Sequence, residues 1–389
     1  MSRADSATIP ARGAIRFDRN ELAGAFGDIG TDLPLIVGVI LAANLDSASA
    51  LILFGVMQVL TALRYRMPMP VQPLKAVAAL VIAQKLSANV LFGGGLAIGL
   101  LMLLLTVTGL VDLLARVVPK AVVRGIQFGL GLQLATLALK DYVKADGARG
   151  YFLAAIAFVI IVILIGNRRY PAALFVIALG LIYAFTFKLD LATVAQGIGF
   201  RLPHVYHPSY QDLVTGFLLL ALPQIPLSLG NSVLATRQIS QDLFPERPLT
   251  VRGISFTYSM MNLINPFFGG IPTCHGSGGM MGHYAFGGRT GGSVILYGLV
   301  YLILGLFFSG SFAQVVHVFP LPILGVLLAI EGMRIMLLIR DTTDKTAEFS
   351  IAVLVGIIAA ILPYGYLIGI CIGTVLFYVA RNRAFTQGV

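Results

Sequence analysis

The chain has 389 residues, 58% of them hydrophobic and 11% charged, with a mean hydropathy of +0.90 and a formal net charge of +10. A soluble domain carries roughly 25% charged residues. The composition therefore excludes an ordinary soluble fold and predicts a polytopic, all-α membrane protein. Two cysteines, Cys274 and Cys371, imply no disulfide framework.

The first twenty residues hold Arg3, Arg12, Arg16 and Arg19 with no apolar run before Leu22, so they read as a cytoplasmic segment and not as a cleavable signal. Beyond them, apolar runs predict fourteen spans. These lie near 21–43, 47–64, 70–88, 92–115, 120–139, 151–166, 171–187, 211–234, 251–268, 273–286, 292–310, 318–338, 347–362 and 365–380. Span 1 carries Asp28, Thr31 and Asp32 in FGDIGTDLP. The two acids stand one helical turn apart and share a face. An acid inside a span is costly and usually faces a cavity. One of them is a candidate proton site or a salt-bridge partner of Lys75 or Arg124; structural pairing that orients a nearby glycine turn is the plainer reading.

Span 3, MPMPVQPLKAVAA, is irregular. Pro70 and Pro73 suit a helix start, Gln72 offers an amide, and Lys75 brings a full charge to the depth of the span. Lys75 reads as a ligand or counter-ion there, or else as a lysine snorkelling to the surface. Span 8, LPQIPLSLGNSV, places Gln224, Ser228 and Asn231 on one stripe, which fits a polar cavity wall or interhelical hydrogen bonding. Span 10, PTCHGSGGMMGHY, is the second irregular segment. Thr273, Gly276, Ser277, Gly278 and Gly279 are residues suited to a helix start beside an anion, because glycine lets a ligand reach the backbone and hydroxyls cap or donate. Cys274, His275 and His283 make a poor tetrahedral metal set, and no acid lies near to orient an imidazole for catalysis. No catalytic residue, metal or cofactor is predicted.

The fourteen-span count is tested by the basic residues. With both termini cytoplasmic, twenty of the 27 lysines and arginines fall on the inner side and six on the outer, leaving Lys75 within a span. The charge is thus explained by topology and not by nucleic-acid binding. A faint repeat supports the same count. FGVMQVLTALRYRMPMPVQPLKAVAAL and FTYSMMNLINPFFGGIPTCHGSGGMMG each run an apolar helix into a Pro-containing break and a small-residue helix. Seven spans per half, about 21–205 and 206–389, is an odd number, so the halves are inverted relative to each other. Two discontinuous spans then face their helix N-termini near the midplane, where unpaired N–H groups and the helix dipoles favour an anion.

GDIGTDLP, PMPVQPLKA, and PTCHGSGG followed by GHYAFGGRTG resemble the signature regions of the molybdate transporter family, related to the sulfate permeases. The resemblance runs from about Glu21 to the C-terminus. It implies the seven-plus-seven inverted fold shared with sulfate and uracil permeases. Spans 1–4 and 8–11 would form a core domain that moves against a gate of spans 5–7 and 12–14. Substrate would sit between spans 3 and 10, on Gln72, Lys75, Thr273, His275, Gly276 and Ser277, with Thr31 of span 1 and Gln224 and Ser228 of span 8 lining it. Only eight residues follow Arg381, so the cytoplasmic regulatory domain of the wider sulfate permeases is not expected.

The leading expectation is a secondary transporter of a tetrahedral oxyanion in the cell membrane, molybdate first, with sulfate and tungstate as related substrates. An anion channel on the same scaffold is a second reading. A nucleobase permease would favour carboxylates on spans 8 and 10, which Gln224 and the acid-free PTCHGSGG do not supply. An enzyme lacks an acid–base–nucleophile set, and no phosphate-binding G-x-x-x-x-G-K-[ST] motif provides for ATP. The expected partners are the oxyanion and the lipid bilayer, with a homodimer admitted and no nucleic acid.

Overall fold

A computed structural model describes residues 14–164, 172–189 and 191–386. The N-terminal segment up to residue 13, including Arg3 and Arg12, and the 165–171 connection with Arg168 and Arg169 lie outside them. The regular elements of the described chain are helices apart from two strands of three residues each. In this architecture, spans 1 to 7 are Ile29–Ala43, Ser47–Tyr65, Val71–Pro73 with Lys75–Gln84, Ala88–Thr108, Lys120–Leu137, Gly147–Leu164 and Ala172–Phe187. Spans 8 to 14 are Tyr210–Leu243, Val251–Ile264, Thr273–His275 with Ser277–Ala285, Gly292–Phe307, Leu321–Met336, Thr346–Ile361 and Gly365–Thr386. This is the inverted seven-span repeat expected from the sequence.

Several boundaries differ from those expected. Span 1 is preceded by a separate turn of helix, Arg19–Ala25, capped by the Asp18 carboxylate. Spans 4 and 11 both end earlier than their apolar runs. Gly109, at φ 76°, closes span 4 in the left-handed region, and a short helix Leu110–Val117 follows. Span 11 stops at Phe307, and Ser309–Val318 turns away from it by 94°. Apolarity alone does not report such a bend, since both sides of it are greasy. Span 8 runs on to Leu243 and is loosened by two π-helical stretches, Phe217–Ala221 and Ser228–Leu234, beside Pro223 and Pro226.

Core and gate are visible in the packing. Span 2 packs on span 11 and span 4 on spans 8 and 9, while span 5 packs on spans 12 and 13. Small residues bring backbones together at these crossings, as in Gly55 on Gly298, Gly94 on Gly216 and Gly131 on Gly332. At the span 1–2 turn, Asp46 caps Ser49 and touches His204. Burial pushes its carboxyl up, but the Ser49 hydroxyl and amide and His204 outweigh that and hold it below the ordinary range.

The inversion is sharpest at the centre. Strands Val71–Pro73 and Thr273–His275 pair antiparallel, with Val71 opposite His275, Gln72 opposite Cys274 and Pro73 opposite Thr273. Leu74 N–H donates to Pro272 O (3.0 Å) and Gly276 N–H to Pro70 O (3.4 Å). Pro70 corresponds to Pro272 and Leu74 to Gly276 in the repeat, so a local two-fold passes between Gln72 and Cys274. Each strand is held by one buried amide from the span before it. Gln58 of span 2 donates to Val71 O (2.6 Å) and accepts from Val71 N–H (2.8 Å). Asn262 of span 9 donates to Thr273 O (2.7 Å) and accepts from Thr273 N–H (3.0 Å). These amides satisfy backbone groups that lipid cannot.

Glu21 explains why GHYAFGGRTG forms so defined a turn. Its buried carboxylate accepts from the N–H groups of Arg289 (2.9 Å), Thr290 (2.8 Å) and Ser293 (2.9 Å), and so caps span 11. Glu21→Ala leaves these donors unpaired, and each orphaned buried donor costs about 1–3 kcal/mol. A marked fall in thermal stability is expected in detergent, with oxyanion affinity of the folded fraction unchanged. A melting temperature within error of the parent would remove the capping role.

Candidate functional site

The two strands deliver two half-helices, Lys75–Gln84 and Ser277–Ala285, whose N-termini meet at the middle of the molecule. Neither is capped by its own first residues: Leu74 and Gly276 make no side-chain cap. A cavity of about 310 Å³ lies against these ends. Ligand pockets begin at about this size. Its walls include Thr31, Gln72, Lys75, Gln224, His275, Gly276 and Ser277. Seven of the nine residues expected to bind substrate are therefore brought to one place.

Their roles differ in detail from those expected. Gln72 Nε2 is committed to the buried Asp28 carboxylate, at 2.8 and 2.7 Å, and is not a free donor. Asp28 thus orients Gln72 and makes no bond to Lys75. Lys75 Nζ instead pairs with Glu331 of span 12 at 3.2 Å. Arg124 is paired with Asp341, at 2.9 Å from Nε, so neither acid of span 1 is its partner. Asp32 accepts from the Tyr297 hydroxyl at 3.2 Å, within the core. Gln224 accepts from Val77 N–H (3.3 Å), a first-turn amide of the half-helix, and donates to Ser228 (3.0 Å). Ser228 is fully buried and bonded to Tyr258 at 2.6 Å, behind the cavity wall. The polar stripe of span 8 is thus divided: Asn231 and Ser232 reach the cavity, and Ser228 joins spans 8 and 9.

Thr273 also stands back from the cavity, with its Oγ1 accepting from Asn265 at 3.2 Å. His275 meets the cavity edge, but its Nε2 is bonded to Thr257 (2.7 Å) and its ring rests edge-on against Tyr65. Gly276 is required by space: a Cβ there would strike the Gln72 amide. Gly279 is required similarly, because a Cβ would meet the Asp28 carboxylate.

Gln127, Glu331 and Arg334 line the cavity too, from the gate side. None was singled out from the sequence. A lone Glu331 in an apolar span carries the same signal that flagged Asp28. Arg334 lies in the last turn of span 12, and its side chain is 62% exposed. Lys75 is therefore not the sole cation available within the spans. No group of three or more His, Cys, Asp or Glu residues able to hold a metal is present among the described residues.

Comparison with known proteins agrees with this architecture. The transmembrane domain of a cyanobacterial bicarbonate transporter, BicA, superposes with a TM-score of 0.64 at 19% identity, covering 90% of this chain and 99% of that one. The anion transporter SLC26A9 superposes with a TM-score of 0.69 at 15% identity, covering 92% of this chain and 64% of that one. These likenesses establish the sulfate-permease-like fold. Among sequence relatives, molybdate transporter 2 of Arabidopsis thaliana is 34% identical over 94% of this chain and 88% of its own. Molybdate transporter 1 of the same plant is 33% identical over 85% and 81%. Molybdate transporter 1 of Chlamydomonas reinhardtii is 25% identical over 87% and 88%. The family model described as "Molybdate transporter of MFS superfamily" matches residues 20–134 and 216–335. The seven-plus-seven repeat differs from the six-plus-six halves of the major facilitators, so that superfamily label does not describe this fold. The matched segments hold both discontinuous spans and their clamps, and by them the chain belongs to the molybdate transporter family.

Proposed function

We propose that the chain is a secondary transporter of a tetrahedral oxyanion, molybdate first, working by alternating access between core and gate. The observation that carries this reading is the convergence of two half-helix N-termini and Lys75 on one cavity. The first-turn N–H groups and the dipoles supply partial positive charge, and Lys75 supplies a full one. Thr31, Asn231 and Ser277 add neutral polar groups. The cavity lining extends to Arg334, Ile335 and Leu338, at the end where span 12 finishes. Under the basic-loop topology this is the cytoplasmic side.

The opposite half of the core–gate boundary is lined by Leu33, Pro34, Val37, Phe319, Leu324 and Leu327. These residues wall a cavity of about 310 Å³ that is almost wholly apolar, and its lack of polar groups favours access for an anion from one side at a time over a continuous wet channel. Shape and charge together suit a compact dianion better than a flat nucleobase, since no acid stands on span 10 to pair with ring N–H groups.

Selectivity is tested by competition on the purified full chain. Labelled molybdate is expected to be displaced by molybdate and tungstate at similar concentrations and by sulfate only at higher ones. Equal displacement by sulfate would replace the molybdate assignment with a sulfate one. Failure of all three to bind would overturn the oxyanion reading.

A further inference from the structure

We propose that Glu331 is an internal anion that the substrate displaces from Lys75, and that the released carboxylate is the proton-binding site of the transport cycle. The inference rests on the oxyanion reading of the cavity and extends it to a co-substrate.

Glu331 and Lys75 belong to different bodies. Lys75 begins a half-helix of the core, and Glu331 lies on span 12 of the gate. Their contact of 3.2 Å spans the boundary on which the substrate cavity opens. The Glu331 side chain is only 7% exposed, whereas 40% of the Lys75 side chain faces the cavity. The cation is thus reachable by a ligand, and the carboxylate is enclosed. A doubly charged oxyanion bound at the two helix ends needs the Lys75 ammonium. It must either share that group with Glu331 or displace it. Sharing would put a dianion and a carboxylate on one ammonium in a site of low dielectric, an arrangement of like charges that strongly favours neutralising one of them.

The surroundings of Glu331 direct the proton to it. Span 3 contributes Lys75, which the substrate takes. Span 1 contributes Asp28, already satisfied by Gln72, and Asp32, bonded to Tyr297. Span 5 contributes neutral Gln127, while its Arg124 is engaged with Asp341. Lys140, Asp141 and Arg149 belong to the other end of span 12, where Tyr142 packs on Gly325 and Gly150 on Pro322. Span 7 brings Tyr183 and no charged residue over 172–187. On its own helix, Arg334 stands 3.9 Å from the second oxygen of Glu331 but is 62% exposed, in high dielectric. A solvated arginine is a weak substitute for the lost Lys75 contact. The step is balanced: the oxyanion enters, the Lys75–Glu331 contact breaks, and one proton from the aqueous mouth adds to the Glu331 carboxylate. Substrate-free protein keeps Glu331 paired with Lys75, which closes the cycle.

The test is proton uptake on binding. Sodium molybdate is added to the purified full chain in weakly buffered solution with a pH-indicating dye, and affinity is measured in parallel by calorimetry from pH 6 to pH 8. The parent is expected to take up close to one proton per molybdate bound. Its affinity should fall toward tenfold per pH unit as pH rises, because the bound state holds the extra proton. Glu331→Gln should bind roughly tenfold tighter or more, with no competing carboxylate, and should show neither uptake nor pH dependence. Uptake that persists in Glu331→Gln overturns the assignment and points to Asp28 or Asp32. Molybdate binding by the parent without uptake overturns it as well. Absence of binding by both proteins instead overturns the oxyanion reading beneath it. Where Glu331→Gln folds poorly, Glu331→Asp serves as a second probe: uptake retained with altered affinity supports the role, and unaltered affinity and uptake oppose it.

Discussion

Lys75→Gln is expected to weaken molybdate binding by roughly 10- to 100-fold. A charge-assisted hydrogen bond is worth about 1.5–3 kcal/mol, and each 1.4 kcal/mol is a factor of ten. The substitution keeps a donor and most of the length but removes the charge. It also has a second consequence, because Glu331 loses its partner inside the protein. Removing one side of a buried pair leaves an uncompensated charge, so Lys75→Gln should melt earlier than the parent. The two effects are separable. In Lys75→Gln/Glu331→Gln no charge is stranded, and stability should return while affinity stays roughly 10- to 100-fold below that of Glu331→Gln alone. Should the double variant bind molybdate as tightly as Glu331→Gln alone, Lys75 serves only to neutralise Glu331 and is not a ligand. Lys75→Arg is expected to be tolerated in part, since its planar fork is bulkier and must still fit between Gln72 and Glu331.

That experiment differs from the one the sequence alone suggests, and the reason is instructive. The pattern of prolines, glycines and small residues located both discontinuous spans, and the distribution of arginines is the basis for the expected orientation. Both are one-dimensional signals. The pairing of Lys75 is not: Asp28 and Glu331 are both lone acids in apolar spans, and only the fold decides which one meets the ammonium. The same limit applies to the stripe on span 8. Gln224 and Ser228 share a face with Asn231, yet the π-helical stretch from Ser228 to Leu234 rotates that face. It brings Asn231 and Ser232 to the cavity and leaves Ser228 against Tyr258. Periodicity assumes a regular helix, and this helix is irregular where the site is. Glu21 was legible only as the start of a membrane helix. Its role as a cap on span 11 joins residues far apart in the chain, a contact that no local pattern encodes.

Asn262→Leu should produce a large loss of stability, with loss of binding following from it. The side chain is fully buried and holds both polar groups of the Thr273 peptide. Leucine matches the shape but leaves that N–H and C=O unpaired at membrane depth. Each orphaned group costs about 1–3 kcal/mol, so a loss of roughly 2–6 kcal/mol is expected. The strand concerned leads directly into the Ser277 half-helix, and Gly276 N–H donates across to Pro70 O. A displaced strand therefore misaligns one of the two helix ends on which the anion is proposed to sit. Gln58→Leu is the counterpart in the other repeat and should act on Val71 in the same way. The two clamps hold one two-stranded ribbon, so they are not independent. Once one strand is free, the other clamp secures a ribbon without a partner. Gln58→Leu/Asn262→Leu is accordingly expected to cost less than the two single changes added together. Thermal unfolding of the parent, both single variants and the double variant in one detergent measures this. Strict additivity, or a single change costing under about 1 kcal/mol, would mean that the crossing is held by the surrounding helices and that the amides merely decorate it.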